Sequence, residues 1–482
     1  MDVTGLVLRA AAARPHVLLA TLPGGTAARL EAERVLRLRD WPLAATPAQA
    51  DVLLVAGPDC PDLRAAVNRL WQDLPAPRAL VHAPGAGGVE PALETGQARL
   101  GSRADQRPRA EEPGRTTRGG DAGGPHHQEP RGGEDHGEGH AGNGGSHDDG
   151  DGDHHHAAEA RHGDSQAGPQ DHHDGPEGHD GGNGGTGRGH AGHEGHGGHE
   201  GHGGHEGHGG HGGGGMEMPG GLPMADQGED RDGLTLDQLH VPLGPLLADW
   251  PAGLTVRVTL QGDVVREAEV EEPPWSDITG REAFWVQPWL RAAAGEPVGV
   301  GEAARRRAAA HLDSLARLLS VAGWPAEAIV AKRLRDDLLD GAPGASVAPR
   351  LERFARRVGR SRTLAWMTRG IGQVSTEEAR EAGVSGPAAR AGGDVTDRYR
   401  QWLADIRRDV GRLEGPSPLR PAVDESPRGC WRDDDPPSAA LIALLPNLLT
   451  GAELAAARLI VASLDPDPDE LAAARGTVGA HD

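Results

Sequence analysis

The chain contains only two cysteines, Cys60 and Cys430, among its 482 residues. They lie far apart in the sequence, and no C-x-x-C pair is present. A disulfide framework, a zinc ribbon and an iron–sulfur cluster bound by cysteines of this chain alone are therefore excluded.

Other absences narrow the class of protein further. No run reaches the roughly 18 apolar residues that span a bilayer. The amino-terminal apolar stretch is broken by Arg14 and Pro15, and it lacks the basic region of a signal peptide. We therefore expect a cytoplasmic protein that is peripheral on the inner face of the membrane through its partners. Neither a dinucleotide fingerprint nor a P-loop is present, and no basic patch is interleaved with aromatics, so nucleic acid is not an expected partner.

Histidine, glycine and acidic residues are abundant instead. Between Gly101 and Gly233 the chain has 26 Asp and Glu against nine Lys and Arg, which accounts for most of its net charge of −23. Twenty of the 25 histidines lie between His126 and His211. A segment with so few apolar residues cannot bury a core, so we predict a disordered linker.

Within this linker, one stretch, called here the histidine tract, has a histidine at every third position. Imidazole is a common ligand of Zn and Ni, but rings about 9 Å apart on a polyproline II helix cannot share one ion rigidly. Two roles remain open, a linker with incidental metal affinity and a selected Zn or Ni buffer of exchangeable sites. The candidate metal ligands are His190, His193, His196, His199, His202, His205, His208 and His211.

The flanking segments carry the patterns of folded domains. Continuous apolar strands alternate with helices before the linker, which is typical of a small parallel α/β sheet. The predicted strands are His16–Thr21, Asp51–Ala56 and Ala79–His82, and the predicted helices are Ala27–Arg39 and Leu63–Leu74. Ligands of such sheets bind at the carboxyl ends of the strands, here the loops Leu22–Thr26, Gly57–Pro61 and Pro84–Gly88.

The pattern after the linker is a β-hairpin followed by helices. Leu254–Leu260 and Val264–Val270 alternate around Gly262-Asp263, which indicates a hairpin. Amphipathic helices are predicted at Arg305–Ala322, Glu327–Leu339 and Val347–Val358, and an apolar helix at Ser438–Leu464 divided by Pro446 and Gly451. The predicted fold is an α/β domain at 1–100, a linker at 101–233 and a mainly helical α+β domain at 234–475.

Both folded segments resemble subunits of one kind of assembly. Ala50–Gly88, with ADVLLVAGPDC and APRALVH, resembles the 20-kDa subunit of NADH:quinone oxidoreductase (complex I) and the small subunits of energy-converting [NiFe] hydrogenases. The hairpin, Thr368–Gly393, Val423–Gly429 and Pro446–Glu470 resemble the 49-kDa or hydrogenase large subunit. The order implies a natural fusion of the two subunits.

The metal ligands that the resemblance implies are missing. Pro84 stands near the family's cysteine position, and Asp465, Pro466, Asp467 and Glu470 stand where hydrogenases have their final cysteine pair. Neither a [4Fe–4S] nor a Ni–Fe centre is expected from this chain alone. Asp465, Asp467, Asp469 and Glu470 are either hard-metal ligands or a solvated helix terminus, and we expect the second.

Three residues outside the linker are candidates for cofactor binding. Cys60 lies in a strand-end loop before a helix, and Arg369 and Arg390 lie in glycine-rich loops that the resemblance implies are near the cluster or quinone. The alternative is a loop cysteine of no special role and arginines that satisfy loop carbonyls. No catalytic residue is assigned.

Three functions follow from these features. The first is a redox-inactive coupling or scaffolding subunit of a complex I-like or energy-converting-hydrogenase-like assembly, bound to antiporter-like membrane subunits. The second is a histidine-rich protein that stores or delivers Zn or Ni. The third is an active oxidoreductase subunit that uses clusters supplied by its partners.

Overall fold

The computed structural model describes residues 12–102, 106, 226–229, 235–274, 283–432 and 435–478. Met1–Glu111 and Gly215–Asp482 belong to one compact unit, which contains every element named below. We call residues 12–102 the α/β part and residues 226–478 the helical part. The histidine tract lies outside the described residues.

The α/β part is built on three parallel strands, which confirms the predicted sheet. The strand order is β1-β2-β3, with Val17 aligned to Val52 and Val52 to Ala79. All five residues of the central strand are buried, as its continuous apolar run requires. The elements in chain order are β1 (Val17–Thr21), α1 (Thr26–Leu38), β2 (Val52–Ala56), α2 (Arg64–Gln72), β3 (Ala79–Ala83) and α3 (Val89–Gly101).

Helix α3 was not among the predicted elements, which ended at the Pro84–Gly88 loop. It buries Val89, Leu93 and Leu100 against the sheet. A Cβ at Gly96 would lie 3.3 Å from the Val52 side chain, so the glycine lets this helix approach the central strand closely. The sequence of α3 has few apolar positions per turn, so its helical pattern is weak, although the helix packs against the sheet.

An antiparallel sheet begins the helical part. Its order is β4-β5-β6-β7, and the predicted hairpin at Gly262-Asp263 joins its last two strands. The first strand lies within the range 101–233 that was assigned to the linker. The strands are β4 (Asp226–Glu229), β5 (Thr235–Leu243), β6 (Val256–Gln261) and β7 (Val264–Val270).

Helices form the rest of this part, as predicted. They are α4 (Gln287–Ala293), α5 (Val300–Val321), α6 (Pro325–Leu339), α7 (Gly344–Gly359), α8 (Arg362–Thr368), α9 (Thr376–Glu381), α10 (Gly386–Ala391), α11 (Val395–Val410), α12 (Pro437–Leu449), α13 (Leu454–Leu464) and α14 (Pro468–Val478). Helix α5 is central and packs against α6, α11 and α13.

The expected break at Pro446 is wrong, because this residue lies inside α12 and the chain is divided only around Gly451. Proline removes one helical hydrogen bond. Burial of Leu441, Leu445 and Leu449 on one face of α12 outweighs that loss.

The α/β part and the helical part meet through buried charges, which we call the junction network. Asp313 of α5 accepts hydrogen bonds from Arg29 of α1 at 2.7 and 3.1 Å and from Arg335 of α6 at 2.6 Å. Arg335 also donates to Glu33 of α1 at 2.8 Å. The members are Arg29, Glu33, Arg37, Asp313, Lys332, Arg335 and Asp336.

These carboxylates remain ionised inside the protein. Burial by itself raises the pKa of Asp313 and of Glu33, but the surrounding cations hold both pKa values well below the ordinary range. Arg335 has no exposed surface, and its carboxylate partners raise its pKa against the opposing effect of burial. Each charge is therefore tolerated only because its partners are in place.

Replacing Arg335 by Met is expected to lower the free energy of unfolding by about 3–5 kcal/mol, because the buried carboxylates of Glu33 and Asp313 lose a shared partner. Urea denaturation measures the change. The matched control is Arg333→Met, since Arg333 is an exposed residue of the same helix. Equal effects of the two substitutions would contradict the assigned role of the network.

Candidate functional site

Four acidic residues that follow α13 are buried, and we call them the carboxylate cluster. Asp465, Asp467, Asp469 and Glu470 are exposed by only 4, 8, 4 and 0 %. The expectation of a solvated helix terminus is therefore wrong. Arginine and serine side chains from distant segments supply the partners that water would otherwise provide, which a local reading of D-P-D-P-D-E could not reveal.

Asp465 is the most constrained member of the cluster. Its carboxylate accepts hydrogen bonds from Ser314 at 2.5 Å and Arg428 at 2.7 Å, and it pairs with Arg317 at 2.5 Å. Its carbonyl accepts a further bond from Arg428. The residue has φ 50° and ψ 51°, a left-handed conformation that costs a non-glycine residue about 1–3 kcal/mol. Helix α5 and the loop between α11 and α12 thus hold a strained residue in one position.

Asp467 and Glu470 share the hydroxyl of Ser438. Ser438 Oγ donates to Glu470 Oε2 at 2.6 Å and accepts from the Asp467 backbone N–H at 2.9 Å. Arg428 Nη1 lies 3.6 Å from Asp467. Burial raises the pKa of Asp467 and raises that of Glu470 to about 7, against the opposing effect of Arg428. Glu470 can therefore hold and release a proton near neutral pH.

The cluster also touches the α/β part. Asp469 Oδ1 accepts a 2.7 Å hydrogen bond from the backbone N–H of Gly24, in the loop that follows β1. Arg317 contacts both Asp313 and Asp465, so the cluster and the junction network form one continuous set of charges. The other predicted reading, a hard-metal site, has no geometric support, because the described residues include no group of three or more His, Cys, Asp or Glu side chains arranged to hold a metal ion.

A cleft of about 640 Å³, called here the central cleft, lies beside this set of charges, between the α/β part and the helical part. Lys332 and Arg29 provide cationic groups on its wall, and Trp41 and Trp250 provide apolar surface. Its size and mixed lining suit a small organic molecule or an inserted apolar side chain. Three partly exposed aliphatic residues from separate segments also line it, namely Leu43, Leu247 and Ile329.

A second cavity of about 640 Å³, called here the strand-end cavity, lies at the carboxyl ends of the parallel strands. Residues of all three predicted strand-end loops line it, among them Leu22, Cys60 and Pro84. Two of the loops touch at Gly25 and Gly57, where a Cβ on Gly25 would lie 2.9 Å from the Gly57 Cα. The three strand-end loops therefore meet around one cavity, and ligand binding there stays a prediction.

The three candidate cofactor-binding residues lie in different surroundings. Cys60 is 1 % exposed in an apolar cluster and precedes a short 3₁₀ turn, Pro61–Leu63. Arg369 is exposed at the end of α8. Arg390 pairs with Asp405 and Glu425; burial by itself lowers its pKa, but these carboxylates raise it. A ligand role for any of the three stays a prediction.

Sequence reasoning missed the residues that organise the site. Arg428 lies in S-P-R-G, a motif quoted only for its resemblance, and Ser438 lies at the start of an apolar helix. The one available signal was the isolation of an arginine between Pro427 and Gly429. Nothing in the sequence connects it with a carboxylate 37 positions away.

Comparison with known proteins gives little further information. No family model matches the chain, and no curated protein does. A similar solved structure is a chain of the membrane-bound sulfane sulfur reductase, an archaeal respiratory membrane complex, with 16% identity, coverage of 49% of this chain and 98% of that chain, and a TM-score of 0.33. A likeness at this level carries no argument about activity. Within the ranges that the structure describes, no helix combines the length and apolar character needed to cross a bilayer.

The raised pKa of Glu470 predicts a pH-dependent stability. The folded protein keeps this proton up to about pH 7, whereas the unfolded chain loses it near the ordinary value of 4.5, so stability falls as the pH rises through that interval. Glu470→Gln removes this dependence. We expect the stability of the variant relative to the native protein to rise by roughly 3 kcal/mol between about pH 5 and about pH 8.

Denaturant unfolding at each pH provides the measurement for this prediction. Glu381→Gln, at an exposed position, is the matched control and should change nothing across the same interval. A difference that is flat with pH for Glu470→Gln would show that this carboxyl titrates normally.

Proposed function

We propose that the chain is a redox-inactive subunit of a complex I-like or energy-converting-hydrogenase-like membrane assembly, in which it acts as a coupling or scaffolding module. The observation that carries the proposal is the junction network. Two parts that resemble separate subunits of such assemblies are held together in one chain by buried ion pairs between Glu33, Asp313 and Arg335.

The positions of the missing metal ligands support a role without electron transfer. Pro84 lines the strand-end cavity, where Cys60 is the one thiol of the α/β part. Asp465 is already neutralised by Arg317 and Arg428. A carboxylate that is bound by two guanidinium groups is a poor ligand for an additional cation, because the cation has to displace them.

The lining of the central cleft supports a partner. Leu43, Leu247 and Ile329 are each about 40 % exposed and belong to three separate segments. Apolar side chains gathered around one opening favour contact with an apolar surface. We propose that antiporter-like or other complex I-like membrane subunits supply that surface.

Co-purification tests the scaffolding role. A tagged full-length chain, expressed in its own host and extracted in mild detergent, is expected to bring down antiporter-like membrane proteins. A variant that lacks residues 120–215 is expected to bring down the same set, because the proposed contacts belong to the α/β and helical parts. Loss of these proteins on deletion of the tract would contradict the proposal.

Elemental analysis of the purified full-length chain tests redox inactivity. We expect no stoichiometric iron or acid-labile sulfide, because the cysteines that hold such a cluster are missing. Iron and sulfide in amounts near four per chain would favour an active oxidoreductase subunit instead.

A second candidate function rests on the histidine tract. Eight imidazoles at a spacing of three residues supply ligands for several exchangeable Zn or Ni ions, so a storage or delivery role is the alternative proposal. Calorimetric titration with Zn and with Ni is expected to show several equivalents per chain, and these should weaken below about pH 6.5 as the imidazoles are protonated.

The matched control replaces all eight histidines of the tract by Gln, which preserves the length and the charge of the segment. Metal binding should fall, and the binding that remains should be that of the other twelve histidines between His126 and His179. Undiminished binding by the Gln variant would place the ions elsewhere and remove the basis of the storage role.

A further inference from the structure

A small cavity lies in the helical part, between α5, α10, α11, α12 and α13. Its volume is about 10 Å³, which is close to the room that one water molecule needs. His311, Arg398 and Arg428 line it, together with Ala388 and Leu441. The cavity shares Arg428 with the central cleft and no lining residue with the strand-end cavity.

Three of the residues that line the cavity each carry one buried polar atom without a hydrogen-bond partner. These atoms are His311 Nδ1, Arg398 Nη2 and Arg428 Nη1. The residues are only 2, 2 and 5 % exposed. A buried polar group without a partner costs about 1–3 kcal/mol, so three such groups on residues that line one cavity mark a polar site.

The tautomer of His311 follows from its other ring nitrogen. His311 Nε2 lies 2.9 Å from the carbonyl oxygen of Pro427. A carbonyl only accepts, so Nε2 carries the hydrogen and Nδ1 presents a lone pair. Burial lowers the pKa of His311, which favours this neutral form. The cavity therefore contains one acceptor that needs a donor.

The two arginines need the opposite partner. Arg428 Nε and Nη2 are bonded to Asp465, and Arg398 Nε and Nη1 are bonded to Ser463 and to the carbonyls of Gly372 and Gly393. Burial lowers the pKa of Arg398 to about 10, so the group is still charged at neutral pH. Arg398 Nη2 is a donor without an acceptor. Arg428 Nη1 lies 3.6 Å from Asp467, beyond hydrogen-bond distance, and is a donor that still needs an acceptor.

We propose that this cavity binds one ordered water molecule that donates a hydrogen bond to His311 Nδ1 and accepts from the guanidinium groups of Arg428 and Arg398. A halide fits the two cations but has no hydrogen for the imidazole lone pair. A metal cation fits the lone pair but is repelled by the two guanidinium groups. Water satisfies all three atoms.

The proposed water extends the carboxylate cluster into the bundle. It connects His311 of α5 to Arg428, which bonds Asp465 directly. The hydrogen-bonded set then runs from the Pro427 carbonyl through His311 and the water to Asp465. This assignment does not depend on the function proposed above.

A crystal structure of the full-length protein, at a resolution that resolves ordered waters, tests the site directly. We expect one density peak within hydrogen-bond distance of His311 Nδ1 and of at least one of the two guanidinium groups. Nitrogen-15 NMR of the His311 ring should show a protonated Nε2 and a hydrogen-bonded Nδ1. An empty cavity, or the opposite tautomer, would overturn the assignment.

An isosteric pair of variants gives an independent measurement. Ala388→Val and Ala388→Thr add the same volume to the cavity wall and displace the water, but only the threonine hydroxyl can replace its hydrogen bonds. We expect the threonine variant to have the higher thermal midpoint. In a dry cavity the order reverses, because burial of an unneeded hydroxyl is unfavourable. If neither variant folds, the crystal structure and the NMR spectrum of the native chain decide the question.

Discussion

The ionised carboxylate of Asp313 is the constraint on which the rest of the molecule depends. Its side chain is 1 % exposed on the central helix α5 and is reached by Arg29, Arg317 and Arg335. Each arginine comes from a different place: the first from the α/β part, the second from α5 itself and the third from α6. Since an unpaired buried charge is costly, these elements can pack in only one arrangement.

The carboxylate cluster is also held by buried charges that need specific partners. Arg317 connects Asp313 to Asp465, and Asp469 accepts a hydrogen bond from Gly24. The connected set of polar groups therefore contacts the α/β part at two places, at α1 and at the loop that follows β1. Burial raises the pKa of Glu470, which has only Arg428 as a nearby cation, whereas Arg29, Arg317 and Arg335 together lower the pKa of Asp313. The two carboxyl groups have pKa shifts of opposite sign because more cations surround Asp313 than Glu470.

Local patterns were sufficient for the fold class and for the elements with strong periodicity, but not for α3, for β4 or for the continuous helix at Pro446. Apolar runs located β2, and alternation around Gly262 located the hairpin, because both depend on neighbours within a few residues. The burial of Asp465 and Glu470 depends on Arg428 and Ser438, which approach only after the chain has folded. The sequence D-P-D-P-D-E therefore predicts a solvated surface. Only the partners that approach in the folded protein show that it is buried.

The junction network also bears on why the α/β part and the helical part are joined in one chain. Glu33 belongs to one part and Arg335 to the other, so each part separated from its partner would expose or bury charges without counterions. Joining the parts in one chain makes their encounter intramolecular, and the length of the connecting segment sets their effective concentration. Two subunits encoded separately would depend on balanced synthesis to avoid orphaned halves. In a single chain the stoichiometry is fixed at one to one by the peptide bond.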